Sequence, residues 1–90
     1  MSHTTKHKAA LLARVRRIKG QVEAVERALE AELGCPEILQ LVASVRGAVT
    51  GLTAELIEEH ITHHVLAPAG EAERRQGGEE LIDVVRTYLR

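Results

Sequence analysis

The sequence predicts an all-α fold in which two long antiparallel helices are followed by a short C-terminal one. Three observations predict it. Apolar residues recur at alternating steps of four and three along most of the chain, the spacing of a packed helical seam. The apolar 44% consists mainly of Ala, Val, Leu and Ile, with no Phe or Trp and Tyr88 as the one aromatic, a composition suited to close helix packing. Helix breakers gather in two places, at Gly34 and Pro36 and again between Ala67 and Gly78.

The first helix presents Leu11, Val15, Ile18, Val22, Val25 and Leu29 on one stripe. Thr4 or Thr5 can cap its start, and Gly34 is placed to end it in the left-handed conformation found just past many helix ends. Cys35 then stands in the capping position of the second helix, with Pro36 as its first residue. Ile38, Val42, Val45, Val49, Leu52 and Leu56 continue the stripe, so this helix is expected from about Pro36 to about Val65. Gly47 and Gly51 weaken it locally and mark places of close helix approach. The polar segment from Ala67 to Gly78 reads as a loop, and Glu80 to Arg90 as the short third helix, presenting Leu81, Val85, Tyr88 and Leu89. No repeat or second domain is evident, so residues 1–90 are read as a single domain.

At 90 residues the surface-to-volume ratio leaves little stability in reserve. A long hairpin exposes an apolar stripe that a short third helix cannot cover, whereas pairing two hairpins into an antiparallel four-helix bundle would cover it. A self-contained three-helix bundle is the alternative. The single Cys35 precludes an intrachain disulfide framework, and no apolar stretch has the length of a signal peptide or membrane span, so the expected compartment is the cytoplasm, with no membrane partner.

The net charge of -1 hides an asymmetry. The first twenty residues carry Lys6, Lys8, Arg14, Arg16, Arg17 and Lys19 and no acid, while residues 51–90 are acidic overall. Such a run is often only a solvated helix flank. Here no acid follows until Glu23, and in a two-fold oligomer the patch repeats, giving spread phosphate contacts that Arg46 can extend. Without a helix-turn-helix pattern, binding to DNA would rest on backbone charge and DNA shape. The scarcity of aromatics speaks against a binder of single strands.

His60 and His64 stand four apart on a predicted helix, so both imidazoles project from one face and can share an ion, although solvated or capping histidines have the same spacing. His63 adjoins them. Cys35 at a helix start is placed for a lowered thiol pKa, favouring the thiolate that metals and electrophiles require. Cys35 and His60 lie 25 positions apart on that helix, roughly 37 Å at the helical rise, and cannot share an ion within one chain. Antiparallel pairing of the second helix with its copy brings Cys35 to the partner's histidine pair. The hairpin returns His3 to that same end. A His-rich site with one thiolate suits Ni(II), Co(II) or Zn(II), whereas Cu(I) favours more sulfur. No nucleophile, base and orienting group occur together and there is no phosphate-binding glycine loop, so no enzyme activity is expected.

The runs RVRRIKGQVEAVERAL (14–29) and LVASVRGAVTGLTAELIEEHI (41–61), with Cys35 between them, resemble the CsoR/RcnR family of bacterial repressors over nearly the whole chain. The resemblance implies an antiparallel four-helix dimer core, a tetramer built from two such dimers, and an apo form that holds operator DNA until an inducer releases it. It also implies that inducer choice falls to His3, Cys35, His60 and His64. With the opening Ser2-His3-Thr4, this set is similar to the nickel/cobalt-responsive branch, which implies repression of a metal-efflux gene. The copper branch would have a second Cys at His64. The formaldehyde-responsive branch shares a Cys like Cys35 and much of the first helix, but typically has Pro at Ser2 and lacks the His at 64. The expected inducer is therefore Ni(II) or Co(II), with Zn(II) also possible. His3, Cys35, His60 and His64 are the expected ligands, and Arg14, Arg17, Lys19 and Arg46 the expected DNA contacts. The rivals are a formaldehyde sensor using Cys35 as nucleophile, and a metal-buffering helical protein with no DNA role.

Overall fold

The structure is a computed structural model that describes residues 7–90. It is all-helical: α1 spans Lys8–Glu30, α2 Cys35–His60 and α3 Glu71–Tyr88, with a π-helical segment, Ile61–Leu66, directly after α2. Two compact units divide the chain, His7–Thr53 and Ala54–Arg90.

In the first unit α1 begins at Lys8, with His7 in the capping position and no side-chain cap, while Thr4 and Thr5 lie outside the described residues. The turn after α1 differs from the expected one. Glu32, not Gly34, is left-handed, at φ 55°. Its N–H donates to the Leu29 carbonyl at 3.1 Å, and the Leu33 N–H reaches back to Ala28 at 3.0 Å. These paired bonds close the helix as a Schellman motif two residues before the glycine. Gly34 instead opens α2, its carbonyl accepting from the N–H groups of Glu37 (3.1 Å) and Ile38 (3.2 Å). Cys35 is therefore the first helical residue and Pro36 the second, each one step further into the helix than expected. Pro36 is tolerated there because first-turn N–H groups have no intrahelical acceptor.

Little of the apolar stripe is covered within one chain. Among the described residues Ala28 is the one buried hydrophobic, at 4% exposure, while Val22 remains 50% and Leu29 58% exposed.

The second unit corrects the expected loop from Ala67 to Gly78. Only residues 67–70 connect the π-helical segment to α3, which starts at Glu71 and carries Gly77 and Gly78 in its interior. Two glycines cost a helix about 1 kcal/mol each relative to alanine, the reason the segment reads as broken. Other terms offset part of that cost. Glu71 and Glu73 place negative charge at the positive end of the helix dipole, Arg75 and Glu79 pair one turn apart at 3.5 Å, and Gly77 is buried against the π-helical segment. The Arg74 guanidinium donates to the carbonyls of Pro68 (3.0 Å) and Ala69 (2.7 Å), tying the connection to α3. Helicity extends past the expected end at Val65, but its last turns are wider. The bond from the Ala67 N–H to the Thr62 carbonyl, 3.0 Å, spans five residues.

Candidate functional site

His60 ends α2, and His63 and His64 lie in the π-helical segment that follows. The four-residue spacing that puts two histidines on one face brings the rings of His60 and His64 together, stacked with centroids 4.9 Å apart and planes inclined by 30°. His60 Nε2 lies 2.8 Å from the Gly77 carbonyl oxygen. A carbonyl only accepts, so Nε2 carries the proton and donates. A Glu80 carboxylate oxygen, 3.8 Å from the same nitrogen, favours the same arrangement. The neutral ring then keeps its lone pair on Nδ1, which is the condition for a metal-ligating histidine whose other nitrogen is anchored. His63 sits differently, with Nε2 3.9 Å from a Glu59 carboxylate oxygen. An open pocket of about 320 Å³ is lined by His63, His64, Pro68, Glu73, Gln76, Gly77 and Glu80.

The sequence pattern found the histidine pair but not the wall that holds it. Gly77 and Glu80 stand on α3, where the expected helix had not yet begun or was only beginning, and no local spacing connects them to His60. A helix boundary drawn before Gly77 is the one signal that would have exposed them.

Cys35 is a free, exposed cysteine at the first turn of α2, the opposite terminus of the helix that His60 closes. His3 lies outside the described residues. Among the described residues no three His, Cys, Asp or Glu side chains gather to hold a metal within one chain. Two neutral imidazoles make half of a tetrahedral set for a borderline divalent ion, so the donors fit such an ion provided the set is completed from elsewhere.

The basic residues divide. Arg14 and Arg17 of α1 line a groove of about 470 Å³ with Ile18 and Gln21, opposite Ser44, Gly47 and Ala48 of α2. A side-chain carbon added at Gly51 would lie 3.1 Å from an Arg14 guanidinium nitrogen, so the missing side chain leaves that guanidinium room beside α2. Lys19 and Arg46 are exposed but do not line the groove. The described helices include none long and apolar enough to cross a membrane.

The family to which the chain belongs is shown by comparison with known proteins. Residues 7–87 match the family described as metal-sensitive transcriptional repressors, and the chain belongs to that family, which is the CsoR/RcnR family. Its members are transcriptional regulators and not enzymes. The chain is 38% identical over 90 residues to the transcriptional repressor RcnR of Salmonella typhimurium, covering all of both chains. An uncharacterized Serratia marcescens protein encoded in the region 5′ of bioA is 50% identical over 91 residues, again with complete coverage of both. Among solved structures, a histidine variant of the formaldehyde-responsive regulator FrmR from Salmonella enterica serovar Typhimurium aligns with a TM-score of 0.86 and 42% identity, covering 97% of this chain and 99% of that one. The copper-sensing repressor CsoR with Cu(I) from Geobacillus thermodenitrificans aligns with a TM-score of 0.90 and 27% identity, over 100% and 94% of the two chains. Membership in a repressor family removes the metal-buffering alternative.

Proposed function

We propose that this chain is a Ni(II)/Co(II)-responsive repressor that holds operator DNA while metal-free and releases it on binding the ion, derepressing a metal-efflux gene in the cytoplasm. The observation that carries the reading is the His60–His64 pair at the end of α2, its ring centroids 4.9 Å apart and His60 Nε2 held by the Gly77 carbonyl, since a site built on imidazoles favours borderline divalent ions over Cu(I). The RcnR relative, alike over the full chain, supports the same branch.

In this reading His3, His60 and His64 of one protomer and Cys35 of an antiparallel partner hold the ion, and Zn(II) is the next candidate. The exposed seam around Val22 and Leu29 is covered in an antiparallel four-helix dimer, two of which form a tetramer. Arg14, Arg17, Lys19 and Arg46 carry the phosphate contacts, with Arg14 and Arg17 foremost because they share the groove. Binding an ion is then linked to release of DNA through a conformation that favours one ligand over the other.

A second reading rests on a separate observation: Cys35 is free and exposed at a helix start, which suits a nucleophile, and the FrmR structure is 42% identical. A gel shift of the metal-free protein on its own promoter, titrated with Ni(II), Co(II), Zn(II), Cu(I) and formaldehyde, separates the two. Release by Ni(II) or Co(II) at the lowest free concentration is the expected outcome. Release by formaldehyde, lost with Cys35→Ala and untouched by His64→Ala, would transfer the protein to the second reading.

A further inference from the structure

Gly77 is the one buried residue of α3, and a Cβ at this position would overlap the His64 carbonyl oxygen and crowd the His64 Cβ, at 3.1 Å. Its neighbour Gly78 has open space, with nothing within 4 Å of an added Cβ. The two glycines look alike in sequence but have different surroundings. At Gly77 the backbones of α3 and the π-helical segment approach closer than any L side chain allows, and at that point its carbonyl takes the His60 ring nitrogen at 2.8 Å. The Glu80 carboxylate is farther from that nitrogen, at 3.8 Å, and its side chain is 52% exposed, so solvent screens it.

We propose that Gly77 is a positioning residue for the His60–His64 pair: its lack of a side chain seats α3 against the His64 backbone, so that the Gly77 carbonyl holds His60 by Nε2–H and leaves Nδ1 to face a cation. A histidine at the end of a helix would otherwise sample both tautomers and several ring rotations, and only the Nε2–H tautomer leaves the lone pair on Nδ1. The outer-shell acceptor of a ligating histidine is ordinarily a carboxylate, a backbone carbonyl or a water. Here one residue supplies both the acceptor and the close approach that brings it into range.

The inference rests on the metal reading of the site for its consequence, but its central claim concerns the metal-free ring. The test uses the full chain. Ring nitrogen chemical shifts of His60 are recorded by NMR without metal, at a pH where the imidazole is neutral, and Ni(II) affinity is measured by competition with a chelator, for the wild type, Gly77→Ala, Gly78→Ala and Glu80→Ala. The expected result is an Nε2–H tautomer in the wild type, kept in Gly78→Ala and Glu80→Ala. In Gly77→Ala the tautomers mix and Ni(II) binds about tenfold more weakly. A His60 protonated at Nδ1 in the wild type overturns the proposal, even if Gly77→Ala fails to fold. So does a folded Gly77→Ala that keeps both tautomer and affinity, or a Glu80→Ala that loses the tautomer, which would assign the role to the carboxylate. If the wild type binds no Ni(II), Co(II) or Zn(II), the metal reading fails, while the ring shifts still decide what Gly77 does.

Discussion

Glu32 is the one non-glycine residue with positive φ among the described residues, and replacing it with glycine should make the protein more stable. An L residue in the left-handed region costs about 1–2 kcal/mol through contact of its Cβ with the following carbonyl. Glycine removes that contact but frees the unfolded chain, which costs about 0.4–1 kcal/mol. Glu32 is exposed, so little packing is lost with it, and the Schellman bonds it serves are made by backbone atoms that glycine retains. The net expectation is a gain of about 0.5–1 kcal/mol, roughly 2–8 °C in Tm for a domain of this length. Thermal unfolding followed by circular dichroism, at fixed protein concentration because association adds to apparent stability, measures it. Glu32→Ala is the control, since it keeps the Cβ and should stay within about 0.5 kcal/mol of the wild type. If Glu32→Gly is no more stable than Glu32→Ala, the strain attributed to this turn is absent and the account of how α1 ends is wrong.

Two predictions bear on the proposed function. Arg14→Ala and Arg17→Ala should each weaken operator binding and lower the slope of log affinity against log salt by about 1, with Ni(II) affinity almost intact; unchanged DNA affinity in both would return the groove to an ordinary solvated surface. If ligands come from two chains, Cys35→Ala and His60→Ala homodimers bind Ni(II) poorly, but a mixed dimer has one doubly damaged site and one in which a normal Cys35 meets a normal His60. That second site should recover near-native affinity at half the stoichiometry, and the absence of any recovery in a verified mixed dimer would show that Cys35 and His60 do not hold one ion across two chains.

The long helices are legible in the sequence because burial against a neighbour imposes a period, and Val15, Val22, Val42 and Val49 keep it even where one chain leaves them exposed. The turn is legible only in outline. Gly34 signals an interruption, but which residue turns left-handed depends on where the backbone bonds close, and they close around Glu32. The start of the third helix is not legible for a related reason: local propensity cannot register that Gly77 is buried against His64, whereas Gly78 has open space around it. The π winding leaves no compositional trace, since the same ITHHVL can satisfy four-residue or five-residue bonds. In the site, the His60–His64 spacing was visible because it is local, and the acceptors of His60 were not, because they stand on another helix.

The bonds from Arg74 to the carbonyls of Pro68 and Ala69 have a consequence for how this end of the chain comes apart. A helix normally frays from its own terminus, turn by turn, at a cost set by its own last residues. Here the stretch that leaves the histidine-bearing turn is fastened by a side chain already wound into α3, and α3 cannot unwind its first turns without letting go of those carbonyls. The two segments share one latch, so they should open in a single step rather than in sequence. Amide hydrogens on both sides of Pro68 would then exchange with a common opening free energy, and the proposed histidine ligands would loosen together with α3 and not before it.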